Sequence, residues 1–270
     1  MINMNDYENK YIELAKKIRL DVLKMTYEKK AGFIGTSFSC TDILAVLYGG
    51  FVKIGNDTVI LSKGHGASAW YATLANVGAI DREKLFTEFN TSGFKMGVHP
   101  KRNSHNGIES SSGSLGQGCG LACGYALGNK IQDKLGKVYA ILGDGECNEG
   151  SVWESFMLAK RQKLNNLTVI IDRNCLQSYS NDENVLNMGD MEEKLIAFGF
   201  NAITVDGHNV MELHNALEKA QNSDMPFAII ANTIKGKGFP EFEDKVLWHY
   251  KWPEDEHYYK AIKFINGEEN

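Results

Sequence analysis

The sequence has few cysteines and prolines, no long apolar run and no excess of positive charge, and each absence excludes a class of protein. Five cysteines, an odd number without a C-x-x-C pair, indicate reduced thiols and a cytoplasmic location. No stretch approaches the roughly 18–20 apolar residues of a membrane span. No basic segment followed by an apolar run opens the chain, so we expect no secretory signal and no membrane partner. The 29 Lys and Arg residues against 34 Asp and Glu residues give a net charge of −5, which argues against nucleic acid as a partner.

The composition is otherwise that of a globular protein, with 43% hydrophobic and 23% charged residues. Two common nucleotide-binding motifs are also missing. Leu121 stands where the G-x-G-x-x-G motif that would begin at Gly116 needs its third glycine. Ile131 stands where a P-loop ending in Gly136-Lys137 needs its first glycine. Dinucleotide binding and P-loop nucleotide binding therefore lose their main support.

The hydrophobic pattern predicts strands that alternate with helices. Residues at helical spacing predict helices at 6–30, 41–48, 67–77, after Asp81, and at 115–130, 151–163, 190–198 and 210–222. Short apolar runs typical of buried parallel strands lie at 59–61, 138–142, 167–171, 202–205 and 227–231. The segment 32–39 should break the first helix, and the polar segment 90–114 is expected to be a long functional loop.

This alternation predicts an α/β fold, a doubly wound parallel sheet with helices on both faces. No linker, repeat or low-complexity tract divides the chain. We therefore expect a single domain over residues 1–270, whose charged and aromatic tail, from about 240 to 270, wraps the surface.

The segment 143–174 carries the strongest chemical signal. One predicted strand ends in Gly-Asp-Gly at 143–145 and the next ends in Asp-Arg-Asn at 172–174, and ligands of open α/β sheets bind beyond such strand ends. The glycines let a ligand approach the backbone, and the helix that begins near Ser151 offers N–H groups that suit a phosphate. A carboxylate, an amide oxygen and a backbone carbonyl suit Mg²⁺ shared with a diphosphate. Either cluster alone fits an ordinary turn with Asp144 as a helix cap, but the pair at this spacing favours a binding site.

An ordered set of short motifs resembles the amino-terminal half of transketolase, a thiamin-diphosphate enzyme. Besides Gly143-Asp144-Gly145 and Asn174, the set consists of Leu61-Ser62-Lys63-Gly64-His65-Gly66, Gly97-Val98-His99-Pro100, Ser112-Gly113-Ser114-Leu115-Gly116-Gln117-Gly118, Asp206-Gly207-His208 and Trp248-His249. Each motif alone is weak, but the ordered set is highly specific and extends over nearly the whole chain. The resemblance implies a fold of the thiamin-diphosphate-binding type.

The resemblance also implies roles for the matching residues. Asp144, Asn174 and the carbonyl of Leu176 would bind Mg²⁺, or Ca²⁺ or Mn²⁺ in its place. The residues that would contact thiamin diphosphate are His65, Gly113, Leu115, Gly143, Asp144, Gly145, Glu146, Asn174 and His249. The residues with catalytic roles would be His65, His99 and His249 in the substrate channel and Glu149, which would relay protonation at a subunit contact.

The histidines suit this chemistry because a neutral imidazole can accept or donate a proton near pH 7. His65 also fits a loop histidine bound to backbone, although its flanking glycines favour a functional role. For His99 neither interpretation is favoured. His105 is expected to be solvated, and His208 to cap or line a loop.

The implied activity is that of a transferase of carbohydrate metabolism, which moves a two-carbon ketol unit from a ketose or ketose phosphate to an aldose. Because 270 residues are few for an enzyme with two cofactor-binding domains, we expect a separate pyrimidine-binding subunit, in a heterotetramer with two copies of each subunit. One alternative is another thiamin-diphosphate reaction on an unusual or deoxy sugar, either a deoxyxylulose-phosphate-synthase-like condensation or a decarboxylative acyl transfer. A non-catalytic binding subunit is the other alternative, and intact Asp144, Asn174 and His65 argue against it.

Two further features bear on substrate and assembly. The family usually has G-H-x-G where this chain has Phe33 in the segment 32–35. Phe33 can neither donate nor accept a proton, so it indicates either a repacking without consequence or a changed, less hydroxylated substrate. Glycines at 116, 120, 124 and 128 share one face of a predicted helix, where each costs roughly 1 kcal/mol relative to Ala. That face fits internal packing or a subunit contact, and the resemblance favours the contact.

Overall fold

The computed structural model describes residues 4–268, so residues 1–3 and 269–270 of the predicted domain and tail lie outside the described residues. The strands are β1 (Thr58–Leu61), β2 (Val138–Gly143), β3 (Leu167–Arg173), β4 (Asn201–Asp206) and β5 (Phe227–Asn232). They form one parallel sheet in the order β1-β2-β3-β5-β4. Every predicted strand is present, with ends one or two residues beyond the predicted ones.

The helices are α1 (Met4–Lys29), α2 (Ile34–Ser39), α3 (Thr41–Val46), α4 (Ala67–Asn76), α5 (Lys84–Thr87), α6 (Gln117–Ile131), α7 (Gly150–Arg161), α8 (Asp182–Val185), α9 (Met191–Ala197), α10 (Val210–Gln221) and α11 (Asp255–Asn266). Short 3-10 turns lie at Gly64–Gly66, Gly145–Asn148 and Val246–His249, and a π-helical turn at Leu47–Phe51 follows α3. Across residues 4–268, no helix is long and apolar enough to cross a membrane.

The sheet is covered on both faces, which explains why its strands are continuous apolar runs. Successive side chains of a strand point to opposite faces. Tyr139 and Ile141 of β2 therefore pack with α1, α3, α4 and α10, whereas Ala140 and Leu142 pack with α6, α7 and α9. The predicted doubly wound α/β fold is confirmed.

The connections between the strands place β5 inside the sheet rather than at its edge. The crossovers through α7 and α9 run on one face and advance the sheet from β2 to β3 and on to β4. The crossover through α10 runs on the opposite face, and a right-handed connection there turns back, so β5 lies between β3 and β4. The carboxyl ends of β1, β2, β3 and β5 consequently share one edge.

The predicted break at 32–39 is wrong after Phe33, because Ile34–Ser39 forms α2. All six residues of α2 are buried, so no polar face marks the helix in the sequence. The helix predicted at 41–48 leaves the α conformation after Val46 and continues as the π-helical turn. The helix predicted at 115–130 begins only at Gln117, because Gly116 adopts the left-handed conformation with φ of 80°.

The segment after Pro240 is anchored at two places. Trp248 is buried, and its indole N–H donates to the carbonyl of Glu241 at 2.8 Å. Further on, α11 packs against α1, where the rings of Tyr258 and Tyr27 stack with centroids 3.9 Å apart. These contacts hold the intervening His249 at the carboxyl edge of the sheet.

Candidate active site

A cavity of about 290 Å³ lies at the carboxyl edge of β1, β2, β3 and β5. Of the predicted site residues, it is lined by His65, His99, Gly113, Leu115, Gly143, Asp144, Gly145, Glu146, Asn174, Leu176 and His249. Its other lining residues are Phe33, Thr36, Lys63, Gln177, Ser178, Lys235 and Tyr250. Glu149 is the one predicted site residue that does not line this cavity.

Asp144 follows β2 and is buried, with both carboxylate oxygens held by backbone N–H groups. Gly145 N donates to Oδ1 at 2.7 Å, and Cys175 N donates to Oδ2 at 2.5 Å. Asp144 thus caps the 3-10 turn, as the turn interpretation expected, and it also faces the cavity. Burial raises the pKa of Asp144 to about 7, and the carboxylates of Asp182 and Asp172 add to the effect. A cation at this position would relieve that repulsion.

Asn174 and Leu176 lie beside Asp144 at the end of β3. The side-chain Nδ2 of Asn174 donates to Ser39 Oγ at 3.1 Å, and its Oδ1 accepts from Leu176 N at 3.1 Å. The Leu176 carbonyl accepts from Lys235 Nζ at 2.8 Å. A carboxylate, an amide oxygen and a carbonyl oxygen therefore line one cavity, and this set of hard oxygen donors fits Mg²⁺.

Glu146 joins three segments of the cavity wall. Its carboxylate accepts from Gly116 N at 2.8 Å, from Gly143 N at 3.1 Å and from the hydroxyl of Ser62. Burial raises its pKa above the usual value. Because these donors come from the loops before α6 and after β1 and from β2, Glu146 holds those loops in place around the cavity.

Two buried lysines, which the sequence motifs did not single out for a role, bring positive charge to the cavity. Lys63 follows β1 and forms an ion pair with Asp172 at the end of β3. Lys235 follows β5 and donates to the carbonyls of Leu176 and Gln177 at 2.8 and 3.2 Å. Burial lowers the pKa of Lys235 to about 8, and Lys63 adds to the effect. The rule that ligands bind beyond strand ends would have found both lysines, because each follows a strand within three residues.

Three histidines surround the ring of Phe33 at the mouth of the cavity. The Phe33 ring meets His65, His99 and His249 edge-on, with centroids 6.0, 5.4 and 5.7 Å away. Burial lowers the pKa of all three imidazoles, and Lys63 adds to the effect at His65. These rings are therefore neutral near pH 7, so each has one donor and one acceptor nitrogen.

The proton of His249 has a defined position on the ring. Lys235 Nζ lies 2.9 Å from Nδ1 of His249. An ammonium group can only donate, so Nδ1 accepts and the ring proton lies on Nε2. Burial, followed by the charge of Lys235, lowers the pKa of His249 to about 3. His249 is thus a neutral residue that presents an Nε2–H donor.

Glu149 is exposed at the start of α7, outside the cavity. It lies against Gly116, where an added Cβ would be 2.7 Å from Glu149 Cβ. Further along α6, Gly120 and Gly124 are exposed, and a Cβ at Gly124 would meet nothing within 4 Å. Internal packing therefore explains Gly116 but does not explain Gly124.

The remaining singled-out histidines lie outside the cavity. His105 is not solvated as expected, because its side chain is only 8% exposed and its Nε2 lies 3.1 Å from Glu88 Oε2. His208 lies in the loop after β4 and contacts Asp42 and the backbone of Ile234.

Comparison with known proteins gives consistent matches. Residues 10–251 match the family model described as transketolase, thiamine diphosphate binding domain. One of the subunits of the apulose-4-phosphate transketolase of Actinobacillus succinogenes is 34% identical over 279 residues, which cover 98% of this chain and 100% of that protein. The 6-deoxy-6-sulfo-D-fructose transketolase subunit SqwG of Clostridium sp. (strain MSTE9) is 36% identical over 241 residues, which cover 84% and 87%. The solved transketolase of Campylobacter jejuni superposes with a TM-score of 0.87 at 26% identity and covers 98% of this chain and 43% of its own.

These matches confirm the resemblance that the sequence motifs suggested, and with it the fold type and thiamin diphosphate as the cofactor of the family. The family model covers most of the chain, and the relatives named as subunits match it over most of their own length. The chain belongs to the transketolase family and comprises its thiamine-diphosphate-binding domain.

Proposed function

We propose that the chain is the diphosphate-binding subunit of a two-subunit transketolase that acts in the cytoplasm. The reaction would move a two-carbon ketol unit from a ketose or ketose phosphate to an aldose. The observation that carries this proposal is the single cavity that combines the oxygen donors of Asp144 and Asn174 with neutral histidines and buried lysines. The relatives named as transketolase subunits, which the chain matches over most of their length, support a divided enzyme.

The cavity residues fit thiamin diphosphate and its metal. Asp144, Asn174 and the Leu176 carbonyl would hold Mg²⁺, with Ca²⁺ or Mn²⁺ as possible replacements. The backbone N–H of Gly145 and the ammonium of Lys235 would face the diphosphate, with Lys63 as a further charge. The remaining predicted contacts, His65, Gly113, Leu115, Gly143, Glu146 and His249, line or support the same cavity. When bound, the cofactor supplies the electron sink for breaking and making the carbon–carbon bond.

The histidines of this chain would manage protons and hydroxyls of the sugar. His249 presents an Nε2–H donor that suits the oxygen of a ketose carbonyl. His65 and His99 are neutral, so each can donate to one hydroxyl and accept from another. Because burial and the lysines depress the pKa of His65 and His249, neither ring carries a charge that would repel a cationic cofactor ring.

The partner would be a pyrimidine-binding subunit, assembled with this chain in two copies of each. The exposed glycine face of α6, which contains Gly120 and Gly124, is the surface we assign to a subunit contact. Glu149 lies exposed near the start of that helix, where it can meet a neighbouring subunit and relay protonation.

The alternative function is another thiamin-diphosphate reaction on an unusual or deoxy sugar. The observation in its favour is Phe33, an apolar ring among three histidines. A sugar hydroxyl that faced this ring would lose a hydrogen bond, which costs roughly 1–3 kcal/mol for a buried group. The relatives named for apulose 4-phosphate and for 6-deoxy-6-sulfo-D-fructose make an unusual ketose a reasonable substrate for the same chemistry.

The test combines this chain with the pyrimidine-binding transketolase subunit of the same genome. Calorimetry should show thiamin diphosphate binding that requires Mg²⁺, and ketol transfer should appear only when both subunits are present. Asp144→Asn should abolish both, whereas Asp190→Asn, at the exposed N-terminus of α9, should leave both intact. Ketol transfer by this chain alone would refute the two-subunit proposal, and absence of cofactor binding in the complex would refute the function.

A further inference from the structure

His208 joins the start of α3 to the segment after β5, outside the cavity. Its Nδ1 lies 2.7 Å from Asp42 Oδ2, and Ile234 N donates to its Nε2 at 2.7 Å. Because a backbone N–H can only donate, Nε2 must carry a lone pair, and the ring proton lies on Nδ1 and is donated to Asp42. The orientation of the ring is therefore set at both nitrogens.

Arg19 holds the same segment at a second point. Its guanidinium donates to both carboxylate oxygens of Asp42, at 2.9 and 2.7 Å, and its Nε donates to the carbonyl of Lys237 at 2.8 Å. Such a bidentate pair has little freedom to rotate. Arg19, Asp42 and His208 together, here called the loop clamp, thus bind the backbone at Ile234 and at Lys237.

Lys235 lies between these two points of attachment. Its side chain is buried, and its Nζ reaches the Leu176 carbonyl and Nδ1 of His249. A lysine side chain is flexible, so the position of its ammonium depends on where its own backbone is held. No part of the loop clamp lines the cavity, so any effect of the clamp on the cavity must pass through Lys235.

We propose that His208 is a positioning residue, which places the ammonium of Lys235 against His249 and toward the diphosphate subsite. The first half of this statement, the contact with His249, is independent of any ligand. The second half rests on the proposed function, because it assumes that thiamin diphosphate occupies the cavity. The two halves therefore need separate measurements.

The experiment uses the full chain, labelled with ¹⁵N and free of cofactor. Long-range ¹H–¹⁵N NMR reports whether Nδ1 of His249 accepts a hydrogen bond, and calorimetry with Mg²⁺ reports the affinity for thiamin diphosphate. His208→Asn keeps a group that reaches Asp42 but leaves Ile234 N without an acceptor. His208→Gln is one methylene longer and restores an acceptor at the Nε2 position. His105→Asn is the matched control, since it removes another histidine paired with a carboxylate.

We expect His208→Asn to lose the His249 signature and to bind thiamin diphosphate roughly tenfold more weakly, as for one unpaired buried donor. His208→Gln and His105→Asn should retain both properties. An unchanged His249 spectrum in His208→Asn overturns the proposal, and an altered spectrum with unchanged affinity overturns its second half. A wild-type chain that shows the His249 signature, but binds no cofactor even with its partner, refutes the proposed function and leaves the first half standing.

Wild-type protein provides a measurement that does not depend on the folding of a variant. The amide of Ile234 should exchange its hydrogen slowly, because the clamp holds it closed. Exchange as fast as that of the exposed loop amides overturns the proposal even if His208→Asn does not fold.

Discussion

Lys63→Met should destabilise the chain more than any single surface change, because it leaves a carboxylate buried and unpaired. The side chains of Lys63 and Asp172 are 1% and 0% exposed, and they form an ion pair. Although burial favours the neutral amine, Asp172 outweighs it and raises the pKa of Lys63 above the usual value. Asp172 has further donors in the hydroxyls of Ser39 and Thr233, but both are neutral groups.

The magnitude follows from the burial of this pair. Removing one partner of a buried ion pair destabilises a protein by about 3–5 kcal/mol. A loss of that size lowers the melting temperature of a chain of this length by roughly 6–20 °C. Replacing both partners with apolar residues, in Lys63→Met with Asp172→Leu, should cost less than Lys63→Met alone, because no unpaired charge then remains.

Urea-induced unfolding followed by circular dichroism measures these differences in free energy. Lys84→Met is the matched control, since Lys84 pairs with Glu88 on the surface and its side chain is 47% exposed. That change should cost at most about 0.5 kcal/mol. If Lys63→Met costs less than about 1 kcal/mol, or if the double variant is less stable than Lys63→Met, the argument from an unpaired buried charge is wrong.

Three other changes test the site and the assembly. Because the pKa of Asp144 is raised to about 7 from 3.8, the metal-free chain should lose stability as pH rises from about 4 toward 7, by at most about 1.4 kcal/mol per pH unit. Asp144→Asn should abolish this slope in unfolding experiments without metal, and a slope that persists in the variant would contradict the assignment. Phe33→His should raise kcat/KM for xylulose 5-phosphate at least roughly tenfold in the assembled enzyme, since it restores a hydrogen-bonding group; efficient wild-type turnover of that sugar, unimproved by the change, would refute a changed substrate. Gly124→Ala should stabilise the isolated chain by about 1 kcal/mol, whereas Gly124→Phe should prevent assembly with the partner in sedimentation experiments; normal assembly of the Phe variant would exclude this face as the contact.

The strands were predictable because the sheet is buried on both faces. Burial on both faces forces continuous apolar runs, and such runs are visible without any knowledge of their neighbours. The same burial hid α2, since a helix that is buried all round has no polar face and no amphipathic period. Its start also lies close to the end of α1, so the sequence offered one short break between them.

The site divides in the same way between local and long-range information. Asp144 and Asn174 were predictable because each follows a strand, and the shared carboxyl edge brings strand ends together whatever the details of packing. The state of His249 was not predictable, because its Nδ1 partner is Lys235. The position of Lys235 in turn depends on backbone contacts with Arg19 and His208, which lie far from it in the sequence. A sequence motif can therefore identify the histidine, but its tautomer is a property of the whole fold.

Phe33 shows why that distinction matters for substrate choice. In the sequence it is one departure from a family motif, and repacking without consequence was as good an interpretation as a changed substrate. In the fold its ring lies between His65, His99 and His249, so it excludes water from the space that a sugar would enter. Repacking alone does not account for this position, because the ring lines the cavity instead of filling the core. The specificity of the enzyme should therefore be sought in ketoses that present C–H rather than O–H to this ring.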